Sequence, residues 1–106
     1  MLEFGDVVLA EIQFTDTNES KKRPAVVLFQ EASNVIVAGM TSNIQRKGIL
    51  VTKEEGAIKD SVIKTSYIFT LAYNRIIKKL FSLNENKKQI LCKEIQEKIC
   101  GNYFLH

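Results

Sequence analysis

The stretch Arg23-Pro24-Ala25-Val26-Val27-Leu28-Phe29-Gln30-Glu31-Ala32-Ser33-Asn34-Val35-Ile36-Val37-Ala38-Gly39-Met40-Thr41-Ser42 decides the fold. Two continuous apolar runs, Ala25 to Phe29 and Val35 to Met40, flank a polar break at Gln30 to Asn34. Short apolar, β-branched runs bounded by turn residues are strands, and so short a break makes them a hairpin. Facing residues in an antiparallel pair keep a constant sum of residue numbers, about 64 or 65 for a turn centred near Ala32 or Ser33. The lower sum sets Arg23 opposite Thr41 and the higher sets it opposite Ser42. A slip of one residue exchanges the faces, so the hairpin alone leaves both hydroxyls open as the neighbour of Arg23.

Upstream, Asp6 to Phe14 reads as a strand, with Val8, Ala10, Ile12 and Phe14 on one face at period two. Val7 and Leu9 make its first half apolar on the other face too, which predicts cover on both sides. Thr15-Asp16-Thr17-Asn18-Glu19-Ser20-Lys21-Lys22 is polar and charged, the composition of an exposed loop, and Pro24 suits the first residue of the next strand. Downstream, Ile49 to Thr52, Ser61 to Thr65 and Ile68 to Leu71 are shorter strand candidates, with Gly48 and Gly56 punctuating the loops. Ile76 to Leu83 fits helix or strand, and Lys78 to Ser82 is read as strand. A helix is expected over 85–100, with Asn84 as N-cap, Glu85 in the first turn, Lys98 in the last and Gly101 at the left-handed end. Leu91, Cys92, Ile95 and Ile99 fall on its buried stripe, leaving Ile90 and Cys100 to face a partner. The fold class is therefore α+β, mainly β: a small, strongly bent antiparallel sheet or barrel with a C-terminal helix.

Composition bounds what such a chain does. Its 106 residues fit one domain, 1–106, and 45% hydrophobic content supports a core. Burial is moderate at this size, so a dimer would supplement it. The net charge of +3 permits a nucleic-acid partner without requiring one. No apolar run reaches membrane-spanning length, and the first residues, Met1-Leu2-Glu3-Phe4-Gly5-Asp6, do not form a signal peptide. Cys92 and Cys100 on one helix stand about 12 Å apart, too far for a disulfide, so an intracellular, reduced and cytoplasmic protein is expected. One histidine with two cysteines makes a zinc site implausible. Glu54 and Glu55 are consecutive and on a strand would point apart, which disfavours a metal-dependent nuclease. No cofactor is expected.

At the open end of the hairpin Arg23, Thr41 and Ser42 meet, beside Ser20, Lys21 and Lys22. A guanidinium presents a planar fork to two phosphate oxygens, hydroxyls supplement it, and lysines concentrate an anionic polymer. The same grouping also serves to solvate the end of a sheet, which is the commoner case for arginine beside hydroxyls.

These residues carry a resemblance. Gly5-Asp6-Val7-Val8, then Lys22-Arg23-Pro24-Ala25-Val26-Val27-Leu28, Val35-Ile36-Val37-Ala38-Gly39-Met40-Thr41-Ser42, and Asp60-Ser61-Val62-Ile63 with Ile68-Phe69-Thr70-Leu71 follow in the order of the MazF/PemK toxins. The chain resembles that family over roughly residues 3 to 100. The resemblance implies an SH3-like barrel of the CcdB/PemK type, a homodimer whose groove binds single-stranded RNA, and a cognate antitoxin protein as partner. It implies an mRNA endoribonuclease that works without metal and leaves a 2′,3′-cyclic phosphate and a 5′-hydroxyl. The arginine of the family's Arg-Pro motif maps onto Arg23 and the threonine after the third strand onto Thr41, the two candidate catalytic residues. Asp16, Thr17, Ser20, Lys21, Lys22, Ser42 and Asn43 are the candidate RNA-binding residues. The family's loop before the Arg-Pro motif is often rich in Gly, Ser and Glu. Here it reads Asp16 to Lys22, so the cleavage sequence does not carry over.

Attack of an RNA 2′-hydroxyl on its phosphate needs charge stabilisation, which Arg23 supplies, and a hydrogen bond from Thr41 to a non-bridging oxygen or to the nucleophile. Arginine, ionising above about 12, is a poor base. Asp16, Glu19 and the terminal His106 are the remaining proton acceptors, and each is more simply a solvated group. Slow catalysis driven by electrostatics and positioning is the expectation. Arg75 to Lys79, Lys87 and Lys88 read first as solvated faces, and Tyr67, Tyr73 and Phe69 as core or interface before base-stacking platforms. Two other classes stay open: a toxin of the same fold that poisons gyrase by binding, and an SH3-like RNA-binding module.

Overall fold

The computed structural model describes residues 1–13 and 20–104, apart from the side chain of Phe104. Among these, the chain forms β1 (Asp6–Gln13), β2 (Ser20–Glu31), β3 (Asn34–Thr41), β4 (Ile49–Val51), β5 (Ser61–Ala72), β6 (Ile76–Ser82) and α1 (Glu85–Phe104). The strands make one sheet in the order β4-β5-β3-β2-β1-β6, every neighbouring pair antiparallel.

The hairpin of β2 and β3 turns on Ala32 and Ser33 alone, with Ala32 at φ 53. The polar break is thus shorter than expected, because Gln30, Glu31 and Asn34 pair within the ladder. Next to the turn Gln30 faces Val35 and Phe29 faces Ile36. A bulge at Leu28 then shifts the register, and Val27 faces Val37 and Ala25 faces Gly39. Both sequence sums therefore occur, the higher beside the turn and the lower beyond the bulge.

Facing residues share a face, so this register sorts the core into two clusters. Val7, Val26, Ala38, Met40, Ile63, Leu83 and Leu91 pack together on one side, with Phe81 and Ile95 against them. Val8, Ala10, Ala25, Val27, Val35, Val37 and Leu71 pack on the other. The first half of β1 is covered on both sides, as its double apolar pattern predicts. The sheet bends until its ends approach. Gly56, after the 3₁₀ turn Lys53–Glu55, lies so close to β6 that a Cβ there would sit 2.8 Å from Phe81. This contact closes the half-barrel.

Two carboxylates tie the closure. Asp6 is buried and accepts from the Glu3 N–H at 2.9 Å, the Ser82 hydroxyl at 2.9 Å and the Lys79 ammonium at 3.2 Å. Burial works to raise its pKa, but the Glu3, Ser82 and Lys79 contacts outweigh that and hold it below the usual value. Glu55 accepts from the Thr52 N–H at 3.0 Å and from the Asn84 amide at 2.9 Å, and lies 3.7 Å from Lys87. The Thr52 N–H is the main cause of its lowered pKa. Asn84 caps α1 as expected, accepting from the Lys87 N–H at 2.8 Å. Lys87 also donates to the Leu50 carbonyl at 2.6 Å, on β4 at the edge of the sheet. At the opposite edge, β6 exposes Lys78 and Lys79.

Several expectations are corrected. Ser20, Lys21 and Lys22 are strand, paired with Gln13, Ile12 and Glu11, so Pro24 lies inside β2. The β2–β3 ladder ends at Ala25, one residue short of Pro24, and its missing N–H breaks no pair with β3. Ser61 to Thr65 and Ile68 to Leu71 are one strand, interrupted where Ala38 faces Ile68 but Gly39 faces Lys64. The strand read over Lys78 to Ser82 is present as β6 and begins two residues earlier, at Ile76. The helix continues through Gly101 to Phe104, so Gly101 does not end it and Lys98 is not in its last turn. Of the predicted stripe, Leu91 is buried and Ile95 half-buried, whereas Cys92 and Ile99 are exposed. Phe14 lies outside the described residues. No helix among them is long and apolar enough to cross a membrane.

Candidate nucleic-acid interface

β2 brings the basic segment to the sheet. Pairing with β1 fixes Lys21 and Lys22 as exposed residues of a strand, and Arg23, facing Ala10, is half-buried with its Nε shielded from solvent. Extending the Ala25–Gly39 register by two residues sets Arg23 across from Thr41. Thr41 in turn faces Val62 of β5 and is half-buried. Of the two hydroxyls left open by the sequence, Ser42 lines the cleft that Arg23 also lines, and Thr41 is not among its lining residues.

Beyond Thr41 the chain folds into consecutive polar turns. The Asn43 N–H donates to Thr41 Oγ1 at 3.2 Å, the Gln45 N–H to Asn43 Oδ1 at 3.1 Å and the Arg46 N–H to the Asn43 carbonyl at 3.1 Å. Asn and Thr side chains mimic backbone turns in this way. With its oxygen already accepting, the Thr41 hydroxyl keeps its hydrogen to donate.

Ser42, exposed, opens onto a cleft of about 300 Å³. Val7, Leu9, Pro24, Met40, Leu80 and Phe81 give it an apolar floor; Lys21, Lys22, Arg23 and Lys59 also line it, with Lys22 on the face of Pro24 and Arg23 on that of Ala25. None of the described residues lining it is acidic. The sequence reading missed its far wall of Ala57, Ile58, Lys59 and Ser61, which the Gly56–Phe81 closure carries across the sheet. Their only signal was Gly56 itself. Asp16 and Thr17, with the considered bases Glu19 and His106, lie outside the described residues. Ser20, exposed, pairs with Gln13 at the start of β2 and does not line the cleft.

Several of the other candidates are engaged elsewhere. Arg75 pairs with Glu11 at 3.9 Å, Lys79 with Asp6 and Lys87 with Glu55, so these bases tie elements together rather than only solvate a face. The methylenes of Lys88 lie over Gly5. Tyr67 meets Phe69 edge-on, their ring centroids 5.3 Å apart, and rests against Gly39. Tyr67 and Tyr73 are about half exposed and lie away from the cleft. Among the described residues no three His, Cys, Asp or Glu side chains gather as a metal-holding group.

Comparison with known proteins adds to this geometry. The profile of the family described as PemK-like, MazF-like toxin of type II toxin-antitoxin systems matches residues 3–99. A comparison with curated proteins found no match. Among solved structures, the chain is similar to the toxin MazF-mt6 of Mycobacterium tuberculosis, 21% identical, over 87% of this chain and 93% of that one, with a TM-score of 0.70. It is similar to a MazE–MazF structure from Deinococcus radiodurans, 16% identical over 92% of this chain and 94% of the other, TM-score 0.69. A third is an endoribonuclease in complex with its cognate antitoxin from Mycobacterial species, 10% identical over 94% and 93%, TM-score 0.68. At these identities the structures speak for the fold, a mostly antiparallel half-barrel with a C-terminal helix. The match across 3–99 speaks for the family: this chain belongs to the PemK-like, MazF-like toxins of type II toxin-antitoxin systems.

Proposed function

We propose that the chain is a metal-independent endoribonuclease that cuts single-stranded mRNA. Residues 1–106 act as one toxin domain in the cytoplasm, as a homodimer restrained by an antitoxin protein. The single observation that supports this most is the cleft that Arg23 and Ser42 line together with Lys21, Lys22 and Lys59, with no acid among the described residues lining it. The cleft attracts a polyanion and its apolar floor receives the flat face of an unstacked base.

In the reaction the RNA 2′-oxygen bonds to the adjacent phosphorus and the bond from phosphorus to the 5′-oxygen breaks. This leaves a 2′,3′-cyclic phosphate. The 2′-OH proton passes to solvent, and the departing 5′-oxygen takes a proton from water. Arg23 offers its fork to the two non-bridging oxygens as negative charge builds, and Thr41 donates its hydroxyl hydrogen to one of them. A preorganised donor of this kind lowers the barrier by about 3–4 kcal/mol, a factor of roughly 10²–10³ in kcat. Lys21, Lys22, Ser42 and Asn43 hold flanking sugar and phosphate groups, with Ser20, Asp16 and Thr17 on the approach. The exposed apolar residues of α1, Ile99 and Tyr103, suit a partner copy.

The test is cleavage of single-stranded RNA in excess chelator. Cutting that persists in chelator and drops about 10²–10³-fold in Arg23→Ala is expected. No cutting by the native chain, or cutting abolished by chelator alone, overturns the proposal. Salt-dependent RNA affinity without product would make the chain a binding module.

A further inference from the structure

Around the corner of the β3–β4 connection lies a second recess, of about 450 Å³, lined by Lys47, Lys64, Lys98, Thr65, Ser66 and Glu94 together with Gly48. Three distant segments build it. Lys47 belongs to the β3–β4 connection, Lys64 to β5 and Lys98 to α1. Gly48 lets the connection lie flat on β5, since a Cβ there would fall 2.2 Å from the Ile63 carbonyl. The break in the β3–β5 ladder leaves residues 65–67 out of register, and Thr65 meets α1. There the buried Thr65 hydroxyl donates to Glu94 at 3.2 Å.

Charge in the recess is uneven. Glu94 also lies 4.0 Å from Lys98, so these two largely offset each other. Lys47 and Lys64 have no ion-pair partner among the described residues. Among the described residues the recess holds three lysines and one glutamate, with hydroxyls beside them and no apolar side chain. A peptide that anchors through apolar residues finds nothing to bury there. A phosphate needs only charge and donors, and finds both.

The register connects this recess to Arg23. Thr41 faces Val62, and Lys64 is the next residue of β5 on that face, opposite Gly39. Arg23, Thr41 and Lys64 thus stand on one face of three adjacent strands. With strands about 4.8 Å apart and about 3.4 Å per residue, the Cα atoms of Arg23 and Lys64 are roughly 12 Å apart. A polyphosphate chain crossing β2, β3 and β5 passes from one to the other.

We propose that the Lys47–Lys64 recess is a second phosphate-binding site, holding the flank of a single-stranded nucleic acid whose reacting phosphate lies at Arg23. This deepens the reading of the chain as an RNA-cutting toxin and rests on it. The recess sets affinity and strand direction and takes no part in bond breaking.

The experiment uses the full chain and a single-stranded DNA oligonucleotide, which lacks the attacking 2′-OH, and follows affinity against salt. Each lysine–phosphate contact on a single strand contributes about 0.7 to the slope of log affinity against log salt. Lys47→Gln/Lys64→Gln is expected to flatten the slope by about 1.4, and to raise the KM for RNA about tenfold at unchanged kcat. Lys53→Gln/Lys93→Gln changes net charge equally at exposed sites outside both clefts and should leave the slope within about 0.5 of native. Equal behaviour of the two double variants overturns the proposal. So does displacement by poly-glutamate that depends on Lys47 and Lys64 while the oligonucleotide slope does not, which would assign the recess to an acidic peptide. A lysine-dependent slope in a chain that cuts no RNA sustains this site and removes the nuclease reading. Cutting with a KM indifferent to both lysines does the reverse.

Discussion

Replacing Asp6 tests the reasoning about closure most directly. Its carboxylate receives the Glu3 N–H, the Ser82 hydroxyl and the Lys79 ammonium, and so fastens the first turn and β6 to β1. Hydrogen bonds to a charged acceptor contribute about 1.5 kcal/mol each at the lower end of their range. The Lys79 side chain is half exposed, so its share is discounted to about 0.5 kcal/mol or less. Asp6→Ala should therefore cost about 3 kcal/mol, out of a total stability of about 5–15 kcal/mol, and lower the melting temperature by about 15 °C. Asp6→Asn keeps one acceptor oxygen and should cost about half as much. The native pKa of Asp6 lies below the ordinary 3.8, so its stabilisation is complete above that value and is lost as pH falls through the lower native one. Urea unfolding of the native and Asp6→Asn chains at pH 7, and then stepwise below pH 4, reads both effects. The gap between them must be full at pH 7 and shrink on acidification. A gap below about 0.5 kcal/mol at pH 7, or one unchanged by acid, refutes the assignment of Asp6 as a charged tie.

Two further substitutions probe packing. Gly48→Ala places a Cβ 2.2 Å from the Ile63 carbonyl and 2.3 Å from Val62 Cγ1, and should destabilise by about 2 kcal/mol or more in denaturant titration. Leu91→Ala empties a fully buried position where α1 meets the sheet and should cost about 2–5 kcal/mol in the same measurement.

The hairpin was legible because its apolar runs and turn residues agree, yet no residue type announced the bulge at Leu28. That bulge is why two registers were equally good readings, since each holds on one side of it. Pro24 misled in the other direction. A proline starts a strand when its missing N–H is judged locally, whereas β1 continues to pair with Ser20 to Lys22 beyond it. β5 looked like two strands because Ser66 and Tyr67 break its apolar pattern, and the break is a register shift rather than a turn. In the helix, periodicity found Leu91 and Ile95 but could not tell which end of the stripe meets the sheet. α1 meets the core through Leu91 and Ile95, leaving Ile99 in solvent. Counting along one hairpin set Arg23 near both Thr41 and Ser42, and Ser42 lines the cleft with it. Lys59, or Lys47 with Lys64 and Lys98, come together only through closure and packing between distant segments, for which a single sequence carries no local sign.

The lysines at the two rims of the sheet govern how crowded copies of this chain meet. An incoming strand that would extend β4 must first pull the Lys87 ammonium off the Leu50 carbonyl. One that would extend β6 from another copy brings a second Lys78 and Lys79 against the first pair. Both approaches strip water from like or already engaged charges, so fibre-like growth from rim to rim is opposed at its first step. Copies made in excess are thereby left to associate through side-chain surfaces, where contact is reversible.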